Sequence, residues 1–181
     1  MTDDSEAFAL SEVATARAQL AFAALAAQLS ALLPHAEVEH VGATAVPGCL
    51  SKGDLDVLVR VARPVFEASA VVLDGALHRS DRNAPTAEYV EYDAAVEDVA
   101  ASVQLVVAGS RLDDRFSRLK AILLADPAAL ADYNELKVRC EGGTMSAYRL
   151  AKAELIDALL GDHEPRRAPS GDVTVRPGIY G

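Results

Sequence analysis

The chain has 181 residues, 51% hydrophobic and 24% charged, enough apolar material for one sizeable core and too ordinary a charge content for a disordered chain. Its 27 acidic and 17 basic residues leave a formal net charge of -10. A field of that sign repels phosphate backbones and disfavours non-specific nucleic-acid binding, while a small nucleotide escorted by a divalent ion stays compatible, because the ion reverses the local sign.

From about Asp4 to Leu33 the chain has helix formers without glycine or proline, and Leu10, Val13, Leu20, Phe22, Leu25, Leu29 and Leu32 supply a broad apolar face. Pro34 closes that helix. The alternating stretch AEVEHVGA reads as a half-buried strand, and GATAVPG punctuates it as a turn or short helix. DLDVLVRV is a second strand, and Pro64 opens a helix that runs to about His78. A polar loop from Arg79 to Pro85 precedes two more strands, TAEYVEYDA and ASVQLVVA, joined by AVEDV, which gives a sheet of about four. Three helices follow: Ser110 with Asp113 caps the first, Asp126-Pro127 starts the second, Gly142 and Gly143 end it, and Thr144 caps the last, which reaches Leu160. Residues 1–164 are expected to form one domain. The tail 165–181, rich in proline, glycine and charge, reads as loosely held, with VTVR able to add a short strand.

Cys49 and Cys140 lack the paired spacing of a zinc site, so they read as free thiols of a reducing compartment, one disulfide being the alternative. The acidic start MTDDSEAFAL does not suit a secretory leader, and Glu12, Arg17 and Gln19 break the alanine-rich run that follows. The expected address is the cytoplasm, with no membrane partner.

The chemistry concentrates in HVGATAVPGCLSKGDLDVLVRV. Side chains alternate along a strand, so Leu55, Val57, Val59 and Val61 are expected on one face and Asp54, Asp56, Leu58 and Arg60 on the other. The two aspartate Cα atoms then lie about 6.6 Å apart, close enough for both carboxylates to hold one magnesium or manganese ion. Unpaired at about 6 Å and an effective dielectric of about 20, they repel by roughly 2.8 kcal/mol, which a bound cation turns into attraction. A solvated pair, screened by salt, is the plain alternative. Gly42 and Thr44 precede the aspartates in a turn able to lay backbone N–H groups and a hydroxyl against phosphate.

The stretch HVGATAVPGCLSKGDLDVLV resembles the signature of the GrpB family, a branch of the nucleotidyltransferase superfamily, through His40, Gly42, Thr44, Ala45, Val46, Pro47, Gly48, Lys52 and Asp56. DPAALADYNELK and YRLAKAELI resemble the family's C-terminal helices, so the likeness spans residues 5–160. It implies an α+β fold of the nucleotidyltransferase type, a small mixed sheet flanked by helices, with the glycine turn and the aspartate strand edging a nucleotide and metal cleft. Taken with the residue reading above, Asp54 and Asp56 are the expected catalytic metal ligands, and His40, Gly42, Ala43, Thr44 and Lys52 are expected to meet the nucleotide's phosphates.

Three departures stand out. Ala43 replaces a serine that would contact phosphate, Asp54 replaces an aliphatic residue and completes an Asp-x-Asp pair, and SVQLVV offers Ser102 and Gln104 where active superfamily members carry a third carboxylate. Glu88 and Glu91 on the neighbouring strand alternate, so at most one of them points inward.

Other residues keep two readings. His40 is a phosphate donor or a hydrogen-bonded structural residue, Lys52 a phosphate partner or a solvated lysine, and Cys49 a small semi-buried residue sooner than a nucleophile. Arg111, Arg115 and Arg118 share a helical face that meets a triphosphate or pairs with Asp113 and Asp114, while Tyr133, Lys137, Tyr148 and Lys152 are assigned to packing. The expected function is a metal-dependent nucleotidyltransferase-like protein that binds a nucleoside triphosphate with magnesium and transfers a nucleotidyl group to an acceptor. The alternative is a non-catalytic nucleotide- or anion-binding module with a protein partner, and a third reading is a structural domain whose acidic pair is solvated.

Overall fold

The computed structural model describes residues 7–162; the expected tail 165–181 and its VTVR stretch lie outside the described residues. Helix α1 is Glu12–Leu32, and it starts later than the composition suggests because the Ser11 hydroxyl accepts the Ala14 amide at 3.1 Å and fixes the N-terminus there. Its inward face is Ala18, Ala21, Leu25 and Leu29, whereas Val13 and Leu20 are 65% and 80% exposed. Small alanines let the helix lie close to the sheet, so of the expected apolar face Leu25 and Leu29 are buried and Phe22 packs against the core, while Val13, Leu20 and Leu32 are exposed.

The sheet comprises β1 (Glu37–Val41), β2 (Leu55–Val61), β3 (His78–Arg79), β4 (Tyr89–Val96) and β5 (Val99–Val107), in the spatial order β1-β2-β5-β4-β3. β2 and β5 are parallel and the other neighbours antiparallel, so the sheet is mixed. Pro64 lies in a single 3-10 turn, and α2 is the short helix Phe66–Asp74 that follows it. The chain turns at Gly75, and His78 and Arg79, expected at a helix end and in a loop, pair instead with Asp93 and Tyr92 as a fifth strand. β4 and β5 are longer than their apolar runs because Val96 faces Val99 across a two-residue turn, with Glu97 at a φ of 54°.

Leu55, Val57, Val59 and Val61 join Val103, Leu105, Val107, Val90 and Tyr92 under α1 and α2 in the principal core. The opposite sheet face carries Asp56, Leu58, Arg60, Ser102, Gln104 and Glu91, brought level by the strand register. Over it lie α3 (Arg111–Ala125), α4 (Pro127–Cys140) and α5 (Met145–Asp162). The expected caps form: Ser110 accepts from the Asp113 amide, Asp126 from Ala128 at 2.8 Å and Thr144 from Ala147 at 3.3 Å. Phe8 exchanges backbone hydrogen bonds with Gly142 and Gly143 and stacks on Tyr148 at 3.9 Å, tying the segment before α1 to the α4–α5 turn. Among the described residues no helix is long and apolar enough to cross a membrane.

Candidate active site

Between the polar sheet face and the C-terminal helices lies a cleft of about 560 Å³. Asp56, the first polar residue of β2, stands on its floor. Gly42 makes room for it: at a φ of 73° that residue leaves β1, and a Cβ there would sit 2.2 Å from Asp56 Oδ2. Asp54 precedes the strand, which begins at Leu55, yet it opens on the same cleft and meets Lys52 Nζ at 2.6 Å. Burial pushes the Asp56 carboxyl above its ordinary pKa; Lys152 opposes that shift, Asp54 and Glu91 reinforce it, and Lys52 opposes it.

The register places Ser102 of β5 beside Asp56, with Asp93 beyond it, and Gln104 beside Leu58, with Glu91 beyond. Ser102 therefore occupies the place expected for a third carboxylate. Of the two candidate glutamates for that role, Glu91 points inward and is 6% exposed, while Glu88 pairs with Arg63 outside. The Glu91 carboxylate accepts from Ser102 Oγ at 2.8 Å, Arg82 Nε at 2.9 Å, Tyr89 OH at 3.2 Å and the Asn83 amide. Burial pushes its pKa up, but the bonds from Asn83 and Ser102 and the Arg82 charge outweigh burial and hold it below the ordinary value. Gln104 also lines the cleft, and its Oε1 is buried without a hydrogen-bond partner among the described residues.

The facing wall is basic. Arg115 bridges to Asp157 at 2.7 Å, Lys120 donates to Glu39 at 2.6 Å and to the His40 carbonyl at 2.9 Å, and Arg149 and Lys152 of α5 complete the lining. Arg118 pairs with Asp114 at 3.6 Å, as the second reading expects, and donates to the Leu160 carbonyl at 3.0 Å, whereas Asp113 pairs with Arg60. Tyr133, Tyr148 and Lys152, assigned to packing from their spacing, also line the cleft.

Among the residues expected at the site, Gly42, Lys52, Asp54 and Asp56 come together at one end of the cleft. His40, Ala43 and Thr44 lie behind it. Thr44 is 1% exposed, its hydroxyl donates to the Asp54 carbonyl at 3.2 Å, and its oxygen lies 2.8 Å from His40 Nε2. Because the hydroxyl has a single hydrogen, that ring nitrogen carries the donor. Burial and then Lys120 press the His40 pKa down to about 4, and its ring stacks on Phe22 at 4.8 Å. These three residues brace the turn that presents Asp54.

Among the described residues no three of His, Cys, Asp and Glu gather closely enough to enclose a metal ion. Two adjacent carboxylates with open space before them fit magnesium of the kind that keeps water and phosphate oxygens in its remaining positions. The donor set thus suits an ion with open coordination positions better than a permanently caged one.

This mixed sheet under a helical layer is a nucleotidyltransferase-like fold. The solved structure of Cid1, an RNA terminal uridylyl transferase, shares it with a TM-score of 0.50 at 14% identity, over 72% of this chain and 41% of Cid1. The GrpB protein family matches residues 13–162, and the chain belongs to that family. A UPF0157 protein of Vibrio cholerae serotype O1 is 35% identical over 136 residues, 74% of this chain and 71% of its own. The crystal structure of the conserved protein GrpB from Enterococcus faecalis superposes with a TM-score of 0.61 at 16% identity, covering 80% of this chain and 93% of that one.

Proposed function

We propose that the cleft binds a nucleoside triphosphate carried with magnesium or manganese and transfers its nucleotidyl group to a small acceptor. The observation that carries this reading is Asp56: a carboxylate on the cleft floor, with no hydrogen-bonded cation among the described residues, facing a wall of arginine and lysine. A buried carboxylate in that state is costly, and a divalent ion held by it and Asp54 would remove the penalty. Asp54 and Asp56 would hold the ion, whose chemistry is to neutralise phosphate charge and align the α-phosphate for in-line attack. Lys52, Arg149 and Lys152, which line the cleft, would meet the phosphate oxygens. With no third carboxylate beside Asp56, catalysis would rest on positioning and charge neutralisation.

The test is thermal denaturation of the protein and of the Asp54→Asn/Asp56→Asn variant with each nucleoside triphosphate, with and without magnesium or manganese. A rise in Tm that requires both metal and aspartates is expected, and equal shifts in the variant would overturn the reading. Ser102 at the third-acid position favours a second reading, a non-catalytic nucleotide- or anion-binding module that serves a protein partner. Pyrophosphate release over a mixture of hydroxyl and amine acceptors selects transfer, whereas metal-dependent binding without release selects the module.

A further inference from the structure

A second cavity, of about 420 Å³, lies between the start of α1 and residues 48–51, and Cys49 lines it. The thiol is 6% exposed and Lys137 is 1% exposed. α4 carries the Lys137 ammonium to 3.1 Å from Cys49 Sγ and 4.0 Å from the centre of the Tyr133 ring, and its remaining hydrogen bond goes to the Leu50 carbonyl. Lysines are almost never fully buried unless paired with a carboxylate, and among the described residues this one has none within bonding distance. Its neighbour is instead the Cys49 sulfur, and Cys49 lines a cavity large enough to admit a small oxidant. Nucleotide binding in the larger cleft uses neither residue, and the chemistry of this pair does not depend on it.

We propose that Cys49 and Lys137 form an oxidisable pair that closes into a covalent sulfur–nitrogen cross-link when a peroxide reaches the cavity. In the first step the Cys49 sulfur attacks hydrogen peroxide: the O–O bond breaks, a sulfenic acid forms, sulfur loses two electrons and one water leaves. In the second the Lys137 amine attacks that sulfur: the S–N bond forms, the S–O bond breaks, and the departing hydroxide leaves as water with a proton from the amine. Sulfenic acids condense with backbone nitrogen in the same way; here a side-chain amine is already held against the sulfur. The amine must be uncharged to attack, and burial, foremost, with Lys152 lowers the Lys137 pKa against the pull of Cys49 and Asp56. The cross-link ties α4 to the loop that leads into Lys52 and Asp54.

The experiment treats the full-length folded protein with hydrogen peroxide, alkylates the remaining thiols, digests it and maps the peptides by mass spectrometry. A linked species joining the peptides of residues 49 and 137, about 2 Da lighter than their sum, is expected and should disappear after dithiothreitol. It should persist in Cys140→Ser and be absent from Cys49→Ser and from Lys137→Arg, which keeps the charge without an attacking amine. Circular dichroism confirms that each variant is folded, and Cys140→Ser decides the question if Lys137→Arg does not fold. A link that vanishes in Cys140→Ser is a disulfide between the two cysteines and overturns the proposal. So does a Cys49 that stays alkylatable or passes to sulfinic acid without any link to Lys137.

Discussion

Gly42 shows how narrowly the cleft floor is built. Its backbone has a φ of 73°, and any Cβ there would overlap the Asp56 carboxylate, reaching 2.2 Å from Oδ2. A side chain at this position meets two penalties at once, a left-handed backbone and a displaced carboxylate. Gly42→Ala is expected to destabilise the protein by roughly 1–3 kcal/mol and to abolish the metal-dependent nucleotide shift, which chemical denaturation and thermal scans check. Retention of both stability and the shift would show that Asp56 is not confined as described. The acidic pair and this glycine were legible in the sequence because they fall in one short stretch of the chain. Arg149, Lys152 and the buried Gln104 oxygen were not: about fifty to a hundred residues separate them from the aspartates, and helical spacing alone gives a lysine on α5 equal claim to packing or to a cleft.

Among the secondary-structure elements, the joint between sheet and α3 hangs on Arg60. Its guanidinium, 9% exposed, reaches from β2 to Glu39 at 2.6 Å and Glu37 at 3.1 Å on β1, and to Asp113 and Ser117 on α3. Removing one partner of such a network leaves buried charge uncompensated. Arg60→Met is expected to cost about 3–5 kcal/mol, measured by urea denaturation, and Arg60→Met combined with Asp113→Leu should recover part of the loss. Equal destabilisation by the single and double variants would show that the pair does not act as a unit. Strand alternation foresaw that Arg60 faces the polar side, and the helix caps at Ser110, Asp126 and Thr144 were readable from residue type. The two-residue β3 was not, because so short an edge strand has no periodicity of its own and exists through its pairing with β4.

For the protein taken entire, acid sensitivity follows from the brace behind the cleft. Folded His40 takes up a proton only near pH 4, whereas an unfolded histidine does so near 6.5. The unfolded state therefore binds more protons between those values, so this contribution to stability is intact above about 6.5 and declines as the pH falls toward 4, by up to about 3 kcal/mol. Asp56, with its raised pKa, acts in the opposite sense, since the folded state there is the first to be protonated. His40→Gln is expected to flatten the pH dependence of the unfolding free energy between 6.5 and 4; an unchanged slope would place the imidazole's effect elsewhere. The α+β class and the order of the larger elements were legible from periodicity and capping, since these are local properties. The opposition of an acidic floor and a basic wall was not, because it arises when helices from the last third of the chain fold back over the second strand.

The parallel pairing of β2 with β5 at the centre of the sheet bears on biosynthesis. These strands become neighbours only after residues 62–98 have been set aside as a loop, and such distant closure is slow because its entropy is lost before contacts reward it. A chain emerging from the ribosome carries both aspartates long before it has the strand that completes their floor or the helices that roof it. Any ligand of this cleft is consequently reserved for the finished protein, and half-made copies hold no claim on it.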